Sequence, residues 1–104
     1  DKYRFQGEYL GLQRKTSSDV HQSMMNVFSL FVGKPTEFKE MIKTSLLFKV
    51  GTEEIWMPIQ SVILSAFHDE VKKGEVVTLY CLFLNEHNNN NKLFNTFLIS
   101  EFQK

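Results

Sequence analysis

Apolar and polar positions alternate along much of this chain, in segments of strand length. Within residues 3–14, Tyr3, Phe5, Gly7, Tyr9 and Gly11 fall on one face. Arg4, Gln6 and Glu8 fall on the other, until Leu10 and Leu12 join them. A period of two over this length predicts a long first strand. Glycines inside a strand mark a bulge, a sharp coil or a close backbone approach, and a small barrel needs such points to bend around its core. Residues 15–19 are polar and read as a turn or loop.

Residues 20–32 support two readings. Val20, Met24, Val27, Phe28 and Phe31 sit at helical spacing, Asp19 and Gln22 are placed to cap, and Gly33 and Pro35 would stop the helix. Read as a strand, Met24, Phe28, Leu30 and Val32 alternate with Met25, Val27, Ser29 and Phe31. Gly33, Lys34 and Pro35 would then turn the chain into residues 36–41. The β-branched and Phe-rich end favours strand from about Asn26 onward.

From Leu46 the pattern sharpens. Leu46, Phe48 and Val50 alternate with Leu47 and Lys49, Gly51 and Thr52 form a turn, and residues 54–59 return as a strand. Pro58 places the end of that strand at an edge or a terminus. Residues 61–67 form a short apolar segment of one or two helical turns, capped by Ser61, with Ile63, Leu64 and Phe67 inward. Residues 68–74 are a charged connector ending in Gly74. Residues 75–85 are apolar on both faces, which predicts a central strand covered on both sides. After a polar loop at 86–91, residues 93–102 form a last strand that can pair with it as a hairpin. The chain is mainly β and reads as one domain over residues 1–104, with no internal repeat and no linker.

The order is thus long strand, ambiguous segment, hairpin, short helix, strand, strand. It resembles the five-stranded OB-type barrel, in which a short helix sits between the third and fourth strands. The resemblance is one of architecture and carries no diagnostic motif. An SH3-like barrel also fits, as does an α+β roll if residues 20–32 are helical.

Composition narrows the partners. The 104 residues include ten Phe, and aromatics reach 13%, which argues against disorder. A chain of this size buries roughly 65% of its unfolded surface, enough for one core without staples. Twelve basic residues balance twelve acidic ones. They interleave at nearly every loop, so the neutrality belongs to a mixed surface rather than to two cancelling patches. A domain that grips a phosphate backbone carries a basic stripe, so zero net charge speaks against nucleic acid. One cysteine, Cys81, excludes an internal disulfide. No run of about 18 apolar residues spans a membrane. The start at Asp1 without Met leans toward a mature, extracytoplasmic form, and the Asn, Lys, Phe and Ile usage toward a bacterial, AT-rich source.

Little in the sequence points to catalysis. His21, His68 and His87 are far apart, in polar segments, and none belongs to a metal-ligand spacing, so they read as exposed loop residues. Cys81, between Tyr80 and Leu82, reads as a small core residue rather than a nucleophile. The pairs Glu53–Glu54 and Asp69–Glu70 sit at turns, and Lys72–Lys73 reads as a solvated turn. No phosphate-loop or nucleophile-elbow string occurs. No cofactor or metal is expected.

Two aromatic features are candidates for contact with a ligand or partner. Tyr3, Phe5 and Tyr9 could form a stacking platform, with Arg4 and Arg14 beside it; the competing reading is that the rings are core. Trp56, with Met57 and Pro58, could form an exposed apolar patch for a protein contact. The expected function is a non-catalytic binding or structural module that mediates protein contacts or self-association. The alternative is an OB-like binder of oligosaccharide or single-stranded nucleic acid through the aromatic strand face.

Overall fold

Five strands and one helix account for the described part of the chain. The computed structural model describes residues 2–16, 41–87 and 93–104, and at 84–87 and 93–96 the backbone alone. Strand β1 (Lys2–Lys15) is followed by β2 (Thr44–Val50), β3 (Glu53–Ile59), helix α1 (Ser61–Glu70), β4 (Val76–His87) and β5 (Leu93–Gln103). The strands close into a barrel in the order β1-β2-β3-β5-β4, with β4 returning to β1. This is the OB-like arrangement expected from the order of elements. Residues 20–32, with their strand and helix readings, lie outside the described residues; the closed five-stranded barrel stands without them.

The first strand makes closure possible because it serves two neighbours. Lys2 to Glu8 pair antiparallel with Leu82 to Val76 of β4. From Glu8 onward the same strand pairs with β2, ending at Lys15 opposite Thr44. A strand shared in this way must bend, and both glycines contribute. A Cβ at Gly7 would lie 3.3 Å from Val50 Cγ2 and 3.5 Å from Phe48 Cβ, so glycine lets the coiled strands approach. Gly11 adopts φ +80° within the register shift between Tyr9 and Gln13. There the bulge turns the strand, and Tyr9 trades hydrogen bonds with the connector: its N–H donates to Glu75 O (2.9 Å) and its carbonyl accepts from Gly74 N–H (2.7 Å). The shift places four steps of β1, from Tyr9 to Gln13, against two of β2, from Phe48 to Leu46, so two extra residues bend the strand at Gly11 while positions 9 and 13 stay on the same side.

Closure on the far side is short. β3 meets β5 in parallel at Ile59 and Ile99, and the next N–H, of Gln60, donates to Ile99 O at 3.2 Å. That bond sets the helix entry. Gln60, not Ser61, is the N-cap residue, extended at φ −63° and ψ 130°, and no side-chain cap bond forms. The expected Ser61 cap is thus corrected: the barrel's own backbone, rather than a side chain, fixes where α1 starts. The helix also runs three residues beyond the expected end, through His68, Asp69 and Glu70. Its last turn is held by Val71 N–H to Phe67 O (2.8 Å) and by Lys72 Nζ donating to His68 O (2.8 Å).

The core follows the inward rows. Leu46 and Phe48 of β2, Met57 and Ile59 of β3, Val77, Leu79 and Cys81 of β4 and Ile99 of β5 are all buried, with Phe67 of α1 driven in from one end. Each such side chain contributes about 1.5–3 kcal/mol of burial free energy. Outward rows differ between sheets. On β4 the outward Val76 is exposed while Thr78, Tyr80 and Leu82 are only half-buried. The apolar pattern on both faces of this strand predicts cover on both, and among the described residues the outward face is covered only in part. On β2 and β3, by contrast, the outward Ser45, Leu47 and Pro58 are buried. Pro58 is second to last in β3, opposite Ser45, consistent with a strand end.

Candidate functional site

The aromatic face of β1 divides along its length. Tyr9 is buried against Phe48 (centroids 5.7 Å) and Phe67 (5.1 Å, edge to face), beneath α1. Burial raises its phenol pKa above the ordinary 10.0. Phe5 is half-buried and meets Phe97 edge to face at 4.7 Å. Tyr3 is 41% exposed and lies over Phe5 (6.5 Å, nearly parallel), Phe83 (5.7 Å) and Phe97 (5.9 Å). Of the three candidate platform rings, one is core, one is half-buried and only Tyr3 presents a substantial area to solvent. Arg4 is exposed on the opposite side of the strand, so it does not flank them.

Arg14 and Trp56 come together, which their separation in sequence gave no reason to expect. The guanidinium carbon of Arg14 lies 4.2 Å from the centroid of the Trp56 ring, a cation–π contact. Arg14 is opposite Ser45 on β2 and Trp56 is opposite Leu47, so both occupy the outward rows of one sheet. Trp56 is half-buried and its neighbours Leu47 and Pro58 are buried. An exposed apolar patch centred on Trp56 is therefore not what forms: the ring is half-buried and Arg14 covers one of its faces.

Exposed apolar surface lies elsewhere. Val62, on the outer side of α1, is 82% exposed, and Met41, just before β2, is 49% exposed. With Gln60 and Ser61 they line a hollow of about 240 Å³. Sequence reasoning missed it because Val62 sits in a helix whose other apolar residues, Ile63, Leu64 and Phe67, point toward the core. The cue was the extra apolar residue on a helix that needs only one apolar stripe.

The chemistry-bearing residues are placed as follows. Cys81 is buried, and desolvation pushes its thiol pKa up to about 12, the reverse of a nucleophile's environment. His68 is not a free loop residue. It is half-buried in the last helical turn, its Nε2 is 2.9 Å from Gln13 Oε1, and its ring lies beside Tyr9 and Phe67. His21 lies outside the described residues. Glu75 accepts from Lys72 N–H (2.7 Å) and pairs with Lys104 Nζ (2.9 Å). Its carboxyl is held below the usual value by the hydrogen bond from Lys104 and then by that from Lys72. Among the described residues, no three His, Cys, Asp or Glu side chains gather in a way that could hold a metal ion. No helix among them is long and apolar enough to cross a membrane.

No protein-family model matches the chain, and no curated protein sequence matches it.

Proposed function

We propose that this chain is a non-catalytic binding module that contacts a protein partner at the hollow of Met41, Gln60, Ser61 and Val62. The observation that carries the reading is Val62, a β-branched apolar side chain left 82% exposed beside the half-exposed Met41. A hollow of about 240 Å³ accommodates one or two aliphatic side chains. Its size suits a segment that inserts an anchoring residue better than the broad apolar face of an obligate dimer, which buries roughly 2,000–5,000 Å². The occupant proposed is therefore a protein segment presenting an apolar anchor. The test is a photo-crosslinking residue at position 62, with position 52 as control, followed by affinity measurement on the captured protein. The expected result is one discrete adduct from position 62 and at least about tenfold weaker binding by Met41→Glu. No adduct, or an adduct whose affinity ignores Met41→Glu, overturns the reading.

The second reading, binding of oligosaccharide or single-stranded nucleic acid through the aromatic strand face, is supported by Tyr3. Its exposed ring lies over three Phe rings and could stack a base or a sugar. Titration with a short oligothymidylate at two salt concentrations tests it: salt-sensitive binding lost in Tyr3→Ala supports it, and no binding removes the nucleic-acid form.

A further inference from the structure

The outward face of β1, β4 and β5 differs from that of β2 and β3. The register places Arg4 beside Tyr80 and Tyr80 beside Glu101, in one row across three strands. One step along, Gln6 lies beside Thr78 and Thr78 beside Gln103. Cross-strand neighbours stand about 5 Å apart and successive same-face residues about 7 Å apart. The six side chains therefore form a two-by-three grid of guanidinium, phenol and carboxylate over amide, hydroxyl and amide. On β2 and β3 the outward Ser45, Leu47, Trp56 and Pro58 are mostly apolar and mostly buried, with the charged, exposed pair Lys49 and Glu54 toward the hairpin end.

The grid is concave and ordered. A groove of about 470 Å³ is lined by Arg4, Gln6, Thr78, Tyr80 and Gln103, with Lys104 at its end. A second, also about 470 Å³, continues past Tyr80, Glu101 and Gln103 toward Val62, Ala66 and Glu70 on α1. Tyr80 and Gln103 are common to both, and the Tyr80 hydroxyl donates to Gln103 Oε1 at 3.2 Å. A register shift in the β4–β5 pairing leaves Ser100 without a cross-strand partner between Ile99 and Glu101. Ser100 Oγ donates to the Tyr80 carbonyl at 3.1 Å, which fixes the backbone beneath the ring.

We infer that this face binds a neutral oligosaccharide across Tyr80. A half-buried phenol ring offers a flat apolar surface with a polar tip. Around it stand two carboxamides, a guanidinium and a carboxylate, the planar groups that pair with vicinal hydroxyls through two hydrogen bonds at once. Two grooves meeting at one ring fit an extended chain rather than a single sugar. Charge selects a neutral ligand: Arg4 and Glu101 flank Tyr80 with opposite sign, and Lys104 is already paired with Glu75. The inference does not rest on the protein contact at Met41, although Val62 borders both hollows, nor on Tyr3, which lies on the other face of β1.

The test is titration of isotope-labelled full chain, followed by amide shifts in NMR, with chitotetraose, maltotetraose, tetragalacturonate and a short oligothymidylate at millimolar concentration. Expected are shifts at Arg4, Gln6, Thr78, Tyr80 and Gln103 with at least one of the two neutral sugars. Tyr80→Ala and Gln103→Ala should each weaken that binding at least about tenfold, with the dispersed spectrum of the folded barrel retained. Met41→Glu should leave it unchanged, which separates this site from the protein contact. The inference is overturned if neither neutral sugar shifts these amides. It is also overturned if only tetragalacturonate or oligothymidylate does so, or if binding survives both substitutions.

Discussion

The barrel has two aromatic clusters made of the same residue types, and they have opposite fates. Tyr9, Phe48, Phe67 and Phe102 meet under α1, where Phe67 enters the barrel and touches the other three at 5.1–5.8 Å. Tyr3, Phe5, Phe83 and Phe97 meet about 20 Å away along β1, where Tyr3 is left partly in solvent. Ring–ring geometry is similar at both ends, mostly edge to face, so aromatic packing is not the difference. What differs is the plug. One end of the barrel is sealed by a helix tied to the strands at both of its ends, by the Gln60 N–H bond to Ile99 O and by the His68 Nε2 contact with Gln13 Oε1. Phe content and strand alternation mark rings as candidates for the core; a capping element decides which of them become core.

The sharpest way to break this comparison is Phe67→Ala against Tyr3→Ala. Removing Phe67 withdraws the plug and opens a cavity among Tyr9, Phe48 and Phe102, and should cost about 3–5 kcal/mol in denaturant unfolding. Tyr3→Ala should cost no more than about 1 kcal/mol. Equal losses would mean that the two clusters are energetically alike.

Gly11 tests whether the backbone holds the sealed end in place. Gly11→Ala places a side chain at φ +80°, within 2.9 Å of the Lys73 side chain. The left-handed conformation alone should cost about 1–2 kcal/mol. The Lys73 chain can move aside, so Gly11→Ala combined with Lys73→Ala should recover only a minor part of the loss.

Alkaline pH should weaken the barrel from within. Cys81 and Tyr9 both have pKa values raised by burial, so the folded state keeps protons that the unfolded state has lost. Stability is full below pH 9.0, the thiol's ordinary value, and falls as pH rises from there toward about 12, with Tyr9 adding to the fall above 10.0. Unfolding midpoints across this range should decline less steeply in Cys81→Ala. A curve identical to the unsubstituted protein would show that folding does not shift the thiol's pKa.

The smallest effect belongs to Glu75, an exposed carboxylate that joins the connector to Lys104. Its lowered pKa means that its stabilisation is present at neutral pH and lost as pH falls through the depressed value. Glu75→Gln should lower the thermal midpoint slightly at neutral pH and not at all in acid. A solvent-exposed pair of this kind is screened, so high salt should erase the difference.

Element order and type were legible in the sequence because they depend on local pattern. The period of two in residues 3–14, the turn at Gly51 and Thr52, and the helix with Phe67 inward are written in neighbouring residues, and they sufficed for an OB-like barrel. The site was much less legible. Tyr3, Phe5 and Tyr9 share a face in the sequence and in the barrel, yet their distance from the seal of α1 gives them three different environments. Arg14 and Trp56 are 42 positions apart and meet only because β2 lies between their strands. Tyr80 looked like one residue of a strand covered on both sides; the register with Arg4 and Glu101 makes it the centre of an open polar grid.

The sequence by itself determined that this is a mainly β domain with one core, a neutral mixed surface and more aromatic rings than its surface can hold. Alternation, glycine placement and charge interleaving carry that information locally. Only the tertiary structure decided which rings are sealed, where apolar surface remains at Met41 and Val62, and which polar side chains stand together across β1, β4 and β5. Those outcomes depend on strand register and barrel closure, and register is set by pairings between residues distant in the chain.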